Sequence, residues 1–216
     1  MSGDGLGFRS TDGLSIEGAL DAPPQPAGAL VLCHPHPSMG GTMNAPLLLA
    51  LRDALVPRGW AVLRFNFRGI GGSEGSPGTG EDEVGDAEGA IAEARRRVPT
   101  VPVAIGGWSF GGAVAVRAAE RDDSLAGCAA IAPAVRTRPG VTAGLPPADQ
   151  LDLGVPLLFV CGANDRVVAP EDCKRWIDDV PAGRYVEIGA ANHFFWGRYE
   201  ALGAVVGDWL DGLVGP

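Results

Sequence analysis

Short apolar runs recur along the chain. They are Ala29–Cys33, Trp60–Phe65, Val101–Ile105, Ala126–Ile131, Val155–Val160 and Arg184–Ile188. Each has the length of a strand, and most lack the polar alternation of a half-exposed one. Such runs suit strands buried on both faces of a parallel sheet. Between them the period changes. Leu47, Leu48, Leu51 and Leu55 share one face of a predicted helix that Asn44 can cap and that runs to about Pro57. Residues 81–97 begin acidic and end in Arg95-Arg96-Arg97, the order a helix dipole favours, so the triple arginine reads as a solvated helix end. Leu202, Val205, Val206, Trp209, Leu210 and Leu213 form an i, i+3, i+4 stripe on a last helix. Phe8-Arg9-Ser10 and residues 14–19 alternate as an antiparallel hairpin at one sheet edge.

This order predicts one doubly wound α/β domain over residues 1–216, mostly parallel, with helices on both faces. The main irregular segment, residues 133–154, holds Pro133, Pro139, Pro146 and Pro147. It is too short for a separate lid domain but long enough for a loop or helical turn over a site.

Composition narrows the partners. A formal charge of -9 argues against nucleic acid and anionic membrane surfaces, which both call for basic patches. The N-terminus has no charged segment followed by a long apolar run, so no signal peptide is expected. The longest apolar runs, such as Val155 to Gly162, are too short to span a bilayer. Cys33, Cys128, Cys161 and Cys173 form no C-x-x-C pair, which predicts reduced, buried thiols in a cytoplasmic protein.

The most informative motif is Gly106-Gly107-Trp108-Ser109-Phe110-Gly111-Gly112, a G-x-S-x-G centred on Ser109. It follows a strand-like run and precedes a helix-compatible one, the strand–turn–helix setting of a nucleophile elbow. Such a turn strains the serine backbone and presents its hydroxyl at a helix start, beside free N–H groups. The bland alternative is a glycine-rich turn with a serine cap.

With these residues the chain resembles the α/β-hydrolase superfamily over nearly its whole length. More narrowly it is similar to small, lidless bacterial hydrolases with an H-P-H-P-x-x-G-G-x-M loop, here His34 to Met43. The stretches Arg64 to Gly75 and Ala191 to Arg198 extend the likeness. The resemblance implies the chain order Ser, then Asp or Glu, then His. His193 is the only histidine after Ser109, which makes it the base. The stretch Gly162-Ala163-Asn164-Asp165-Arg166-Val167-Val168 resembles the family's acid-bearing loop, which makes Asp165 the acid, while Glu171 and Asp172 read as first-turn helix acids.

That leaves His34 and His36 to be explained. In the superfamily the loop after this strand lends an N–H to the oxyanion hole. Pro35 stands where a glycine usually stands, and neither Pro35 nor Pro37 has an N–H. The candidates are the N–H groups of His36, Ser38 and Met39. His36 aligns with the family donor, and Phe110 would supply the second N–H. A metal reading of Cys33, His34 and His36 lacks a partner motif such as H-E-x-x-H. His34 is expected to brace the loop. Asn44, Thr42 and Met43 can also face the pocket. Arg68 is expected to bond backbone carbonyls rather than a substrate carboxylate. Phe194, Phe195 and Trp196 can line an acyl pocket or pack on the last helix.

The resemblance therefore implies a serine hydrolase cleaving a carboxylic ester or related acyl bond of a small-molecule substrate, with no cofactor and no metal. The same triad also serves peptidases, amidases, acyltransferases and perhydrolases. A non-catalytic binding protein on the fold is a further class, and such proteins tend to lose the serine or the histidine.

Overall fold

The apolar runs become the strands of one eight-stranded sheet. The computed structural model describes residues 4–181 and 183–215. In chain order it comprises β1 (Asp4–Arg9), β2 (Ser15–Asp21), β3 (Gly28–Cys33), α1 (Pro46–Leu55), β4 (Trp60–Phe65), α2 (Glu83–Arg97), β5 (Val103–Trp108), α3 (Phe110–Ala119), β6 (Cys128–Ile131), β7 (Leu157–Gly162), α4 (Pro170–Asp178), β8 (Gly183–Ile188) and α5 (Tyr199–Val214). The sheet order is β1-β2-β4-β3-β5-β6-β7-β8. β1 and β2 form the expected antiparallel edge hairpin, and β2 also runs antiparallel to β4. From β4 to β8 every pairing is parallel. Met1–Gly3, where the reading of the N-terminus begins, lie outside the described residues.

The period of two explains why the central runs are apolar throughout. On β3, Ala29, Val31 and Cys33 enter a core under α2, α3 and α4, while Leu30 and Leu32 enter a second core under α1 and α5. β7 divides the same way, with Leu157, Phe159 and Cys161 on one side and Leu158 and Val160 on the other. Leu47, Leu48, Leu51 and Leu55 of α1 are buried together, each contributing roughly 1.5–3 kcal/mol of transfer free energy. All four cysteines are buried and unpaired.

Two expectations shift. β5 and β7 start later than their apolar runs, immediately after Pro102 and Pro156, which have no N–H to give a ladder. Asn44 does not cap α1. The helix starts at Pro46 with Ala45 at its cap, and the Asn44 Oδ1 instead accepts from Nη1 of the buried Arg64 at 3.0 Å. A proline at the first helical position lowers the need for a cap.

The segment from Pro133 to Gly154 carries one bridge, between Arg138 and Thr142, and one 3-10 turn, Ala148–Gln150. No helix among the described residues is long and apolar enough to cross a membrane.

Candidate active site

Four loops meet at the carboxyl edge of the sheet, where doubly wound folds place their sites. They follow β3, β5, β7 and β8 and carry His34 and His36, Ser109, Asp165 and His193 respectively. β3 and β5 are neighbours, with Cys33 opposite Gly107, so the histidine loop lies beside the elbow.

Ser109 has φ 57° and ψ -116°, a backbone conformation costing roughly 1–3 kcal/mol for a residue with a Cβ. Surrounding bonds hold it there. Its N–H donates to the Ile131 carbonyl at 2.9 Å, and its own carbonyl accepts from Gly112 and Ala134, both at 3.0 Å. A Cβ on Gly107 would collide with the Gly111 carbonyl, and one on Gly111 with the carbonyls of Cys33 and His34. The two motif glycines therefore let strand, turn and helix close up.

The Ser109 Oγ lies 3.1 Å from His193 Nε2, and His193 Nδ1 lies 2.7 Å from Asp165 Oδ2. A carboxylate only accepts, so Nδ1 carries the proton and Nε2 is left to accept from the serine hydroxyl. Asp165 Oδ1 accepts from the N–H groups of Val167 and Val168, both at 2.8 Å. This fixes the carboxylate with one oxygen aimed at the imidazole. Asp165 and His193 are both buried. The arrangement can move a proton from the hydroxyl to Nε2 and stabilise the imidazolium that results.

The histidine loop has the form of a brace. His34 is fully buried, accepts the Phe67 N–H at Nε2 (3.1 Å), and donates from Nδ1 to the Pro35 carbonyl at 2.6 Å. Burial is the main reason its pKa falls to about 4. His36 Nδ1 accepts from the Ser38 N–H at 3.2 Å, and Nε2 donates to the Val141 carbonyl at 2.8 Å. The Met39 N–H donates to the His36 carbonyl at 3.0 Å. Of the three loop N–H groups considered, those of Ser38 and Met39 are thus engaged. Among the described residues, neither the His36 N–H nor the Phe110 N–H has a protein acceptor. Cys33, meanwhile, faces the core under α2 and α3, and burial pushes its thiol well up. Cys33, His34 and His36 engage separate surroundings and do not converge on one point.

Ser109 opens into a cavity of about 370 Å³ whose apolar walls include Phe110, Val135, Val141, Val167 and Val168. The hairpin around Val141 forms one wall, tied to the loop after β3 by His36. Thr42, Met43 and Asn44 do not line this cavity. Arg68 does not reach it either. Its guanidinium bonds carboxylates rather than carbonyls, those of Asp86 and Asp12, and so pins the loop after β4 to α2. Phe195 packs fully buried beside α5, whereas Phe194 and Trp196 stack on each other at 4.8 Å outside the cavity and remain exposed.

Two positioning groups carried no separate sequence signal. Trp108 donates from Nε1 to the His193 carbonyl at 3.0 Å, and Asn192 Oδ1 accepts from the Phe194 N–H at 3.0 Å, shaping the turn that carries His193. Both sit inside motifs that had been read for their neighbours.

Residues 24–151 match the sequence family Hydrolase_4, described as serine aminopeptidase, S33. That span includes the elbow but ends before Asp165 and His193. An uncharacterized protein of Rickettsia prowazekii is 33% identical over 195 residues, covering 84% of this chain and 77% of that one. An α/β serine hydrolase homologue from Coxiella burnetii superposes with a TM-score of 0.84 at 28% identity, covering 97% of this chain and 98% of that one. A lidless α/β serine hydrolase from Xanthomonas campestris gives 0.81 at 27% identity, covering 98% and 93%.

Proposed function

This chain belongs to the Hydrolase_4 family of the α/β-hydrolase superfamily, and from that footing we propose that it hydrolyses a carboxylic ester through an acyl-enzyme on Ser109. The observation that carries the reading is the hydrogen-bonded series Ser109–His193–Asp165, whose serine opens into an apolar cavity.

In this reading Ser109 Oγ attacks the ester carbonyl carbon while His193 Nε2 takes its proton. The carbonyl oxygen gains negative charge and is met by the free N–H groups of His36 and Phe110. The imidazolium, stabilised by Asp165, returns the proton to the departing alkoxide, and an acyl-serine remains. Water then repeats the cycle. His193 deprotonates it, the tetrahedral intermediate collapses, and acid and free serine are released.

A peptidase reading is favoured by the description of the family. An aminopeptidase needs a carboxylate for the substrate's free ammonium group. The carboxylates in this cavity are occupied: Asp165 by His193, and Asp172 by Arg136 and Arg175. This supports the ester over the aminoacyl substrate. The test is a p-nitrophenyl ester chain-length series beside aminoacyl p-nitroanilides, run on the native protein and on Ser109→Ala. Serine-dependent turnover of esters but not anilides is expected. Serine-independent rates on both would end the hydrolase reading, and a preference for the anilides would replace it with the peptidase.

A further inference from the structure

Most basic side chains of this acidic protein are paired. Among the described residues, Arg138, Arg166, Arg184 and Arg198 are those without a carboxylate within 4.0 Å. Arg198 bonds backbone carbonyls instead. Arg184 lies on β8, the edge strand. The other two, Arg138 and Arg166, both line the cavity into which Ser109 opens. They come from different places in the sequence, Arg138 from the hairpin that His36 ties down through Val141, Arg166 from the loop that carries Asp165. The third arginine of this wall, Arg136, is neutralised by Asp172 at 2.7 Å.

The charge of the cavity therefore opposes that of the protein. The net charge is -9, yet the lining carries two unmatched guanidinium groups against carboxylates already engaged. The same cavity is lined by Ser109 and by the apolar side chains of Val135, Val141 and Val167. Such a site suits a molecule with an aliphatic middle and an anionic end. Guanidinium forks bind planar or tetrahedral oxyanions through paired N–H groups.

Building on the ester reading above, we propose that the natural substrate's acyl chain ends in an oxyanion, a carboxylate or a phosphate, held by Arg138 and Arg166 while its ester carbonyl lies at Ser109. The two arginines are specificity-determining residues. They touch the far end of the acyl group and not the reacting atoms.

The test compares three p-nitrophenyl esters of matched length: the mono-ester of suberic acid, the same compound with its far carboxyl methylated, and an analogue ending in a phosphate monoester. The expected ratio of kcat/KM, anionic over neutral, is about tenfold at low salt, carried mainly by KM and falling as ionic strength rises. In the double variant Arg138→Gln/Arg166→Gln the ratio falls to about one. The larger of the two anionic ratios tells carboxylate from phosphate. A ratio near one in the native protein, or one that survives in the double variant, overturns the proposal. Suberate itself supplies a readout independent of turnover. It should raise the thermal midpoint of the native protein at low salt, more than its dimethyl ester does, and not that of the double variant. If no ester is turned over but this shift is seen, the hydrolase reading fails and the anion site stands. If esters are turned over without charge preference and suberate gives no shift, the reverse holds.

Discussion

His34 accepts the backbone N–H of Phe67 through Nε2 at 3.1 Å, so a buried imidazole joins the loop after β3 to the loop after β4. Protonation would turn that acceptor into a donor facing a donor. The bond exists only while the ring is neutral. The position of His34 between β3 and the loop that carries His36 makes this bond a support for the candidate site as well as for the fold.

The consequence for stability has a definite sign. Burial, the largest cause, lowers the His34 pKa from 6.5 to about 4 in the folded protein. Above pH 6.5 the ring is neutral in both states and contributes no pH dependence. As pH falls below 6.5 the unfolded chain takes up a proton that the folded chain refuses, and stability drops until about pH 4. The loss is on the order of 3 kcal/mol at most. Urea unfolding at several pH values between 7.5 and 4 should show this fall in the native protein. The fall should be absent from the corresponding component in His34→Asn. Identical pH slopes for the two proteins would show that His34 is not the titrating group.

Substitutions along the Ser109–His193–Asp165 series should act on kcat and leave folding nearly intact. Ser109→Ala and His193→Ala are expected to lower kcat/KM by roughly 10⁴–10⁶, and Asp165→Asn by roughly 10⁴ because the imidazole loses the partner that fixes its tautomer. The losses should not add, since the three act as a unit. A fluorophosphonate probe should label the native protein and not Ser109→Ala. Equal labelling of both would move the nucleophile elsewhere.

Gly111 has no room for a side chain. A Cβ there would meet the carbonyl oxygens of Cys33 and His34, the last residue of β3 and the first of the loop that follows it. Gly111→Ala should therefore destabilise the protein by about 3 kcal/mol or more, and should lower activity further than stability alone explains, because the loop must move to relieve the clash. The thermal midpoint and the rate at a temperature where the variant is folded separate the two effects. A variant as stable and as active as the native protein would mean that the loop yields freely.

The sheet was legible because its buried strands leave an unbroken apolar signature, and because periods of two and 3.6 alternate along the chain. The starts of β5 and β7, just after Pro102 and Pro156, fall two residues later than the apolar runs predict because hydropathy does not register a missing N–H. Asn44 misled for a different reason: its side chain has two possible partners, and the buried Arg64 claims it. Ser109, His193 and Asp165 could be picked out from motif and chain order, and the structure brings Ser109 and Asp165 each within hydrogen-bonding distance of His193. The cavity could not be picked out. Its walls join the hairpin around Val141 to the loop after β7, and neither segment has a period or a motif that announces contact with the other. Arg138 and Arg166 are legible as charges in the sequence, but their lack of partners exists only in three dimensions.

The sharpest test of the oxyanion assignment is at His36, because its two contributions can be separated. The ring ties the loop to Val141, and the backbone N–H has no protein acceptor among the described residues. His36 has φ -53° and ψ 124°, angles a proline adopts without distortion. His36→Pro thus removes the N–H while keeping the path of the chain, and His36→Ala removes the ring while keeping the N–H. If this N–H stabilises the developing oxyanion, His36→Pro should lower kcat by roughly 10²–10³, the cost of one such donor. His36→Ala should lose far less, with the effect falling mainly on KM as the Val141 hairpin loosens. The ratio of the two variants isolates the donor from the brace. Equal losses in kcat would assign the donor role to another group, with the N–H of Ser38 the next to test, since the His36 ring no longer engages it in either variant.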